Sequence, residues 1–169
     1  MQTLTKIDRK EFKENVFVRI GNDWMLVTAG DEENGCNTLT ACWGGLGDLW
    51  HRDAAFIFIR PTRYTYEFIE KHERFSLSFF PHGYRKALSL LGTKSGRDGD
   101  KISEAGLEVE YFEGVPAFKQ ANLVILCRKM YYLDFVPERI PQDVIERFYP
   151  EGDFHRFYAG EVESVYVLK

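Results

Sequence analysis

The sequence predicts a mainly β protein, a closed antiparallel barrel with a few helices added at its edge. Three observations carry this reading. Short apolar or alternating runs recur along the chain, separated by brief turns rich in Gly, Asn and Pro. Aromatic residues make up 15% of the chain, mostly Phe and Tyr, which favours strands. Helical patterns are few and never alternate regularly with strands, as a doubly wound sheet requires.

Taken in order, residues 1–14 read as a polar lead-in in which Asp8 caps a short helix from Arg9 to about Glu14. Val16 to Ile20 reads as a strand, ended by the turn signal Gly21-Asn22-Asp23. Trp24 to Ala29 is a near-continuous apolar run, the pattern of a buried strand. The acidic turn Gly30 to Gly35 contains Asn-Gly and predicts a hairpin into a strand from Asn37. Gly44 to Gly47 reads as a flexible link, and Ala54 to Ile59 as the next buried strand, stopped by Pro61. Thr62 is the expected N-cap of a helix over Tyr64 to His72, with Tyr66, Phe68 and Ile69 turned inward. Arg74 to Phe80 alternates as a half-buried strand, and Tyr84 to Leu91 and Lys101 to Ala105 read as short helical pieces. From Leu107 the chain reads mostly as β: 107–112, 115–118, 121–134, then His155 to Val162 and Val165 to Leu168, with a surface helix near Val144 to Phe148.

Bulk properties narrow the function classes. A chain of 169 residues and 19.7 kDa, with no linker or repeat, is expected to form one domain over 1–169. The formal charge of -4 argues against nucleic acid as a partner. Cys36, Cys42 and Cys127 are odd in number and form no C-x-x-C pair, so reduced thiols in a cytoplasmic protein are expected. The N-terminus lacks the apolar run of a signal peptide, and no stretch is long and apolar enough to predict a membrane span. No G-x-G-x-x-G, phosphate loop or G-x-S-x-G is present, and the four histidines have no ligand spacing, so neither a metal nor a hydrolase triad is predicted.

Three clusters remain. Asn37 to Trp43 places hydroxyls, amides and small residues side by side; it reads equally as an ordinary strand. Arg60 to Thr65 sets two arginines and two threonines where a helix begins. A helix N-terminus has unpaired N–H groups and a partial positive charge, so this cluster suits a phosphate. Lys94 to Asp98 is dense in donors, and also fits a charged surface loop. The stretch from Trp24 to Thr65, which holds the first two, is read as holding a phosphorylated, flat, aromatic cofactor.

The motifs Trp24-x-Leu26-Val27-Thr28-Ala29-Gly30, Asn37-Thr38-Leu39-Thr40-Ala41, Arg60-Pro61-x-Arg63-Tyr64-Thr65, Phe75-x-Leu77-Ser78-Phe79-Phe80 and Gly92-Thr93-Lys94-Ser95-Gly96-Arg97-Asp98 occur in this order. Together they resemble the flavin reductase-like, FMN-binding split-barrel family, and especially its flavoredoxin-like branch. His155-x-Phe157-x-x-Gly160-Glu161-Val162 resembles the family's closing strand. Leu39 stands where the family more often has methionine, a swap of similar volume. The resemblance implies a six-stranded Greek-key split β-barrel with peripheral helices, a homodimer and one FMN per subunit. By position, Thr38, Thr40, Ala41, Cys42 and Trp43 would lie along the flavin ring and ribityl chain. Thr62, Arg63, Tyr64 and Thr65 would hold the phosphate, with Arg60 close by. Ser78 and Phe79 would border the pocket, and Lys94, Ser95 and Arg97 would approach the ring. No side-chain base is implied as catalytic. The activity implied is a flavin reductase using NADH or NADPH. The other readings are a flavoredoxin-like FMN carrier that serves a redox protein partner, and a β-barrel binding module without flavin.

Overall fold

The computed structural model describes residues 3–169. Ten strands are present where the resemblance implies six. They are β1 (Leu4–Ile7), β2 (Met25–Asp31), β3 (Gly35–Ala41), β4 (Gly44–Leu49), β5 (Arg52–Ile59), β6 (Arg74–Phe79), β7 (Val109–Phe112), β8 (Val115–Phe118), β9 (Leu123–Asp134) and β10 (Arg156–Leu168). Four α-helices accompany them: α1 (Tyr64–Lys71), α2 (Arg85–Thr93), α3 (Lys101–Glu104) and α4 (Gln142–Phe148). Eight strands form one antiparallel sheet in the order β3-β2-β6-β9-β10-β5-β4, with β1 added on β10; β7 and β8 form a separate hairpin. β3 and β4 are the two ends of this path and do not pair, although only residues 42–43 separate them in the chain. The sheet therefore rolls into a split barrel rather than a hydrogen-bond-closed one. β5 and β6, joined through α1, are separated in the sheet by β9 and β10, a Greek-key connection.

The strongest strands are those buried on both faces. In β2, Met25, Val27 and Ala29 enter the barrel, while Leu26 joins a second cluster beneath α2 and the β7–β8 hairpin. β9 divides in the same way, with Leu123, Ile125 and Cys127 inside the barrel and Val124 and Leu126 in the outer cluster. Double burial is why these segments read as continuous apolar runs instead of alternating ones. Ile69 of α1 packs on the barrel cluster, joined at its margin by Tyr66 and Phe68.

Several elements differ from the sequence expectation. Within the polar lead-in, which begins with Met1 and Gln2 outside the described residues, Leu4–Ile7 forms β1 against Val165–Leu168. Asp8 does cap a turn, but the turn is 3-10 and ends at Glu11. Residues 17–23 form a π-helical turn, not a strand. A strand there would send Val16, Val18 and Ile20 to one face; only Ile20 is buried in the core, while Phe17 and Val18 stay exposed. Arg19 then anchors the turn by donating to Asn122 Oδ1 at 2.8 Å. Gly44–Gly47 is part of β4 rather than a link. An added Cβ at Gly45 or Gly47 would stand 3.6 or 3.3 Å from the Phe56 ring, so the missing side chains let that ring lie flat across the strand. The N-cap of α1 is Arg63, not Thr62, and no side chain caps it. The two closing strands are one, β10, with register shifts against β9 near Ala159 and Val162.

Between β9 and β10 lies the excursion 135–155, which carries α4. Its neck is closed by Arg156, whose Nε and Nη2 donate to the two Asp134 oxygens at 2.6 and 2.8 Å.

Gly160 marks a tight point of the barrel. A Cβ there would meet Phe75 Cζ at 2.7 Å and Cys127 Cβ at 3.1 Å, and the Phe75 ring is fully buried. Gly160→Ala is expected to cost about 1–3 kcal/mol in urea unfolding, the range for overpacking a core. Adding Phe75→Leu should recover part of that loss, a non-additivity of about 0.5 kcal/mol or more that marks direct contact.

Candidate functional site

The site lies where the split leaves the barrel open, beside the end of β3. Leu39 and Arg63 line two adjoining hollows, a shallow groove and a smaller corner. The groove, about 180 Å³, runs along Thr40, Ala41, Cys42 and Trp43 and faces Phe58, Ile59, Arg60 and His155. Its walls set apolar and aromatic side chains beside a few polar ones, an arrangement suited to a flat ring system. The corner, about 70 Å³, lies between Thr62–Thr65 at the start of α1 and Thr93–Gly96 with Lys101 after α2.

No carboxylate lines either hollow; the charged side chains there are Arg60, Arg63, Lys94 and Lys101. Arg63 Nη2 donates to the Gly92 carbonyl at 2.5 Å. Lys101 is only 4% exposed, and its Nζ donates to the carbonyls of Leu91 and Lys94, both at 3.0 Å. Neither Arg63 nor Lys101 has a carboxylate within ion-pair distance among the described residues. Burial, then the nearby Arg63 charge, pushes the Lys101 ammonium down to about 8. Burial, then Arg60, likewise lowers Arg63 from its ordinary value. A buried lysine beside a partly buried arginine, neither of them ion-paired, favours an incoming anion. The first amides of α1 point the same way, since helix N-terminal N–H groups lack intrahelical partners. Thr65 Oγ1 accepts from Asn37 Nδ2 at 2.9 Å, which leaves the threonine proton free to donate. Ser95 Oγ accepts the Arg97 amide at 3.2 Å and likewise keeps its proton.

The other end of the groove is closed by the excursion. Arg60 donates to the Phe148 carbonyl at 2.7 Å and pairs with Asp153 at 2.6 Å, pinning the segment to the barrel. Trp43 packs against Phe148 and His155, with ring centroids 5.2 and 5.0 Å away. His155 Nδ1 and the Tyr149 hydroxyl lie 2.7 Å apart. Burial, then the Arg60 charge, pushes His155 down to about 4, so its imidazole is neutral at pH 7.

Of the residues singled out from sequence, Thr40, Ala41, Cys42, Trp43 and Arg60 line the groove, and Thr62, Arg63, Tyr64, Thr65, Lys94 and Ser95 line the corner. Lys94, Ser95 and Arg97 therefore gather around the anion corner and not around the ring slot. Lys94 is ion-paired with Glu104, and Arg97 with Glu67 at the rim. Thr38 faces away from the groove: it is fully buried, shares a 2.9 Å hydrogen bond with Thr28 and donates to the Val27 carbonyl at 3.1 Å. The Thr40 hydroxyl is also engaged, donating to the Leu88 carbonyl. Ser78 and Phe79 are buried in the sheet and line neither hollow. Sequence reasoning left out Lys101, Phe58 and His155. Only His155 carried a signal, as the first residue of the closing-strand motif; Lys101 reads as any surface lysine after Asp100, and Phe58 as any strand residue.

Fold and site together define a split-barrel protein with an aromatic slot that ends in a cationic corner. Residues 17–169 match the family described as flavin reductase like domain, and the chain belongs to that family. No curated protein matches it. Similar solved structures include flavoredoxin from Methanosarcina acetivorans, 24% identical, with a TM-score of 0.69 over 96% of this chain and 75% of that one. The FMN-binding protein from Thermus thermophilus is 24% identical, with a TM-score of 0.66 over 84% and 69%. An NADH:FAD oxidoreductase from Streptomyces globisporus is 18% identical, with a TM-score of 0.62 over 85% and 74%. At these identities the likeness establishes the fold. Among the described residues, no helix is long and apolar enough to cross a membrane.

The depressed His155 pKa makes stability depend on pH. Unfolded, the imidazole protonates near 6.5; folded, near 4. Between those values the unfolded state binds more protons, so stability falls as pH drops from 6.5 to 4 and this contribution is fully present above 6.5. From pH 7 to 5 the wild type is expected to lose about 1–2 kcal/mol more than His155→Gln in urea unfolding. Equal losses in the two proteins would show that His155 titrates normally.

Proposed function

We propose that this chain binds FMN, with the ring in the groove and the phosphate in the corner, and acts as an NADH- or NADPH-dependent flavin reductase. The observation that carries the reading is the buried Lys101 beside the partly buried Arg63, neither ion-paired with a carboxylate, at one end of a slot with aromatic walls. When bound, FMN supplies the two-electron chemistry, accepting hydride at N5. The chain's own residues bind and orient. Arg63, Lys101, the first amides of α1 and the Thr65 and Ser95 hydroxyls hold the phosphate. Trp43, Ala41 and Phe58 wall the ring and keep water from it. His155, neutral at pH 7, presents no charge to that wall.

A second reading is a flavoredoxin-like carrier that passes electrons to a redox protein. It is favoured by the Trp43–Phe148–His155 packing, which narrows the entry a nicotinamide needs. A two-part experiment addresses both steps. FMN should bind Arg63→Ala about tenfold to a hundredfold more weakly than wild type, the loss of one charge-assisted contact of about 1.5–3 kcal/mol, while riboflavin binding stays unchanged. Equal weakening of both ligands, or of neither, would remove the phosphate assignment. Anaerobic mixing of the FMN-loaded protein with NADH or NADPH should bleach the flavin rapidly. Bleaching by dithionite alone would instead favour the carrier.

The homodimer is part of the same proposal. Leu133, Phe157 and Phe58 lie directly opposite one another across β9, β10 and β5, so they share one outward face. Phe56 stacks on Phe157 at 5.8 Å, and Leu133, Tyr131 and Trp50 are exposed beside them, Trp50 at 63%. A contiguous aromatic face of this kind favours a subunit contact. Light scattering at micromolar concentration should give about 39 kDa, twice the 19.7 kDa chain, and Leu133→Glu should halve it. A wild-type mass near 20 kDa would overturn this.

A further inference from the structure

The far wall of the corner is closed more tightly than a phosphate site requires. An added Cβ on Gly96 would stand 2.3 Å from Asn37 Oδ1 and 3.0 Å from the Tyr64 ring, so the loop after α2 is packed directly on β3 and α1. The next residue fastens it there. The Arg97 guanidinium lies 4.7 Å above the Tyr64 ring centroid, pairs with Glu67 on α1 and reaches the Thr62 carbonyl at 3.5 Å. This tie joins the two walls of the corner, the start of α1 and the loop 93–97, across its outer end.

We propose that the Arg97–Glu67 tie over Tyr64 is a specificity gate, which admits a terminal phosphate and turns away a pyrophosphate, so that this chain takes FMN and rejects FAD. The proposal rests on the reading that the corner holds the flavin phosphate. Two physical arguments support it. The first is space. A phosphate that continues into an adenosine must leave the corner through one of its open sides. The groove side would be taken by the flavin's own ribityl chain, and on the other side Gly96 lines the corner while Arg97 is tied to Glu67 at its rim. The second is charge. A phosphate monoester carries nearly two negative charges at pH 7, its second pKa being about 6. The flavin-side phosphate of a pyrophosphate carries one. The buried Lys101 and the partly buried Arg63, neither of them ion-paired, are balanced by the first and only half balanced by the second. Arg97 acts here through the wall; it is a positioning residue.

The test is calorimetric titration of the flavin-free protein with riboflavin, FMN and FAD. In wild type, FMN is expected to bind about a hundredfold more tightly than FAD, a difference of about 2.8 kcal/mol. Arg97→Ala and Glu67→Ala should each narrow that ratio about five- to tenfold, chiefly by strengthening FAD, and leave riboflavin unchanged. The double variant should narrow it no further, because the two side chains act as one tie. Both side chains are about half exposed, so their removal is not expected to impair folding. FAD binding as tightly as FMN in wild type, or an unchanged ratio in both single variants, overturns the gate. If FMN binds no better than riboflavin, the phosphate reading itself fails, an outcome distinct from FMN and FAD both exceeding riboflavin.

Discussion

The structure around the site depends on holding two cations, the buried Lys101 and the partly buried Arg63, without a direct carboxylate partner. Arg63 is held by the Gly92 carbonyl and Lys101 by those of Leu91 and Lys94, so all three acceptors are backbone groups at or just beyond the end of α2. Backbone carbonyls satisfy donors but carry no net charge, which leaves a positive field in place. That arrangement requires α2, α3 and the start of α1 to converge around β3. The barrel provides the convergence: β2 and β9 are apolar on both faces, so the sheet must have a second layer, and α2 and the β7–β8 hairpin form it. The two clusters together position the corner, the barrel cluster seating α1 and the second seating α2.

How much could be read beforehand follows from burial. β2, β5, β6 and β9 were legible because each carries a buried stretch, and an apolar run is the direct imprint of that burial. β1 and β4 were not. β1 is mostly exposed, held as a strand by its ladder to β10. β4 has three glycines, and what lies against them, the carbonyl and ring of Phe56, is on another strand. The 17–23 turn misled because Val, Phe and Ile favour strands, while the fold had core space for Ile20 alone. In each case a long-range contact overrode local preference.

The candidate site divides on the same principle. The cluster Arg60 to Thr65 was legible because donors crowd one helix start in sequence. Lys101 was not, since its significance comes from burial beside Arg63, 38 positions earlier in the chain. Thr38 and Ser78 illustrate the reverse error: a hydroxyl in a motif suggests a ligand, yet strand alternation turns Thr38 toward Thr28 and away from the groove.

The excursion 135–155 has an architectural consequence. It leaves the barrel between two adjacent, antiparallel strands and is cinched at its neck by the bidentate Arg156–Asp134 pair. Its length and composition can therefore change without breaking a rung of the ladder below. The corner, by contrast, is assembled from segments woven through the second layer, where an insertion would disturb the core. Grip and reach are thereby separable in evolution: one lineage of such barrels can keep its hold on a common ligand and remodel, by exchanging a single loop, the wall that decides what approaches it.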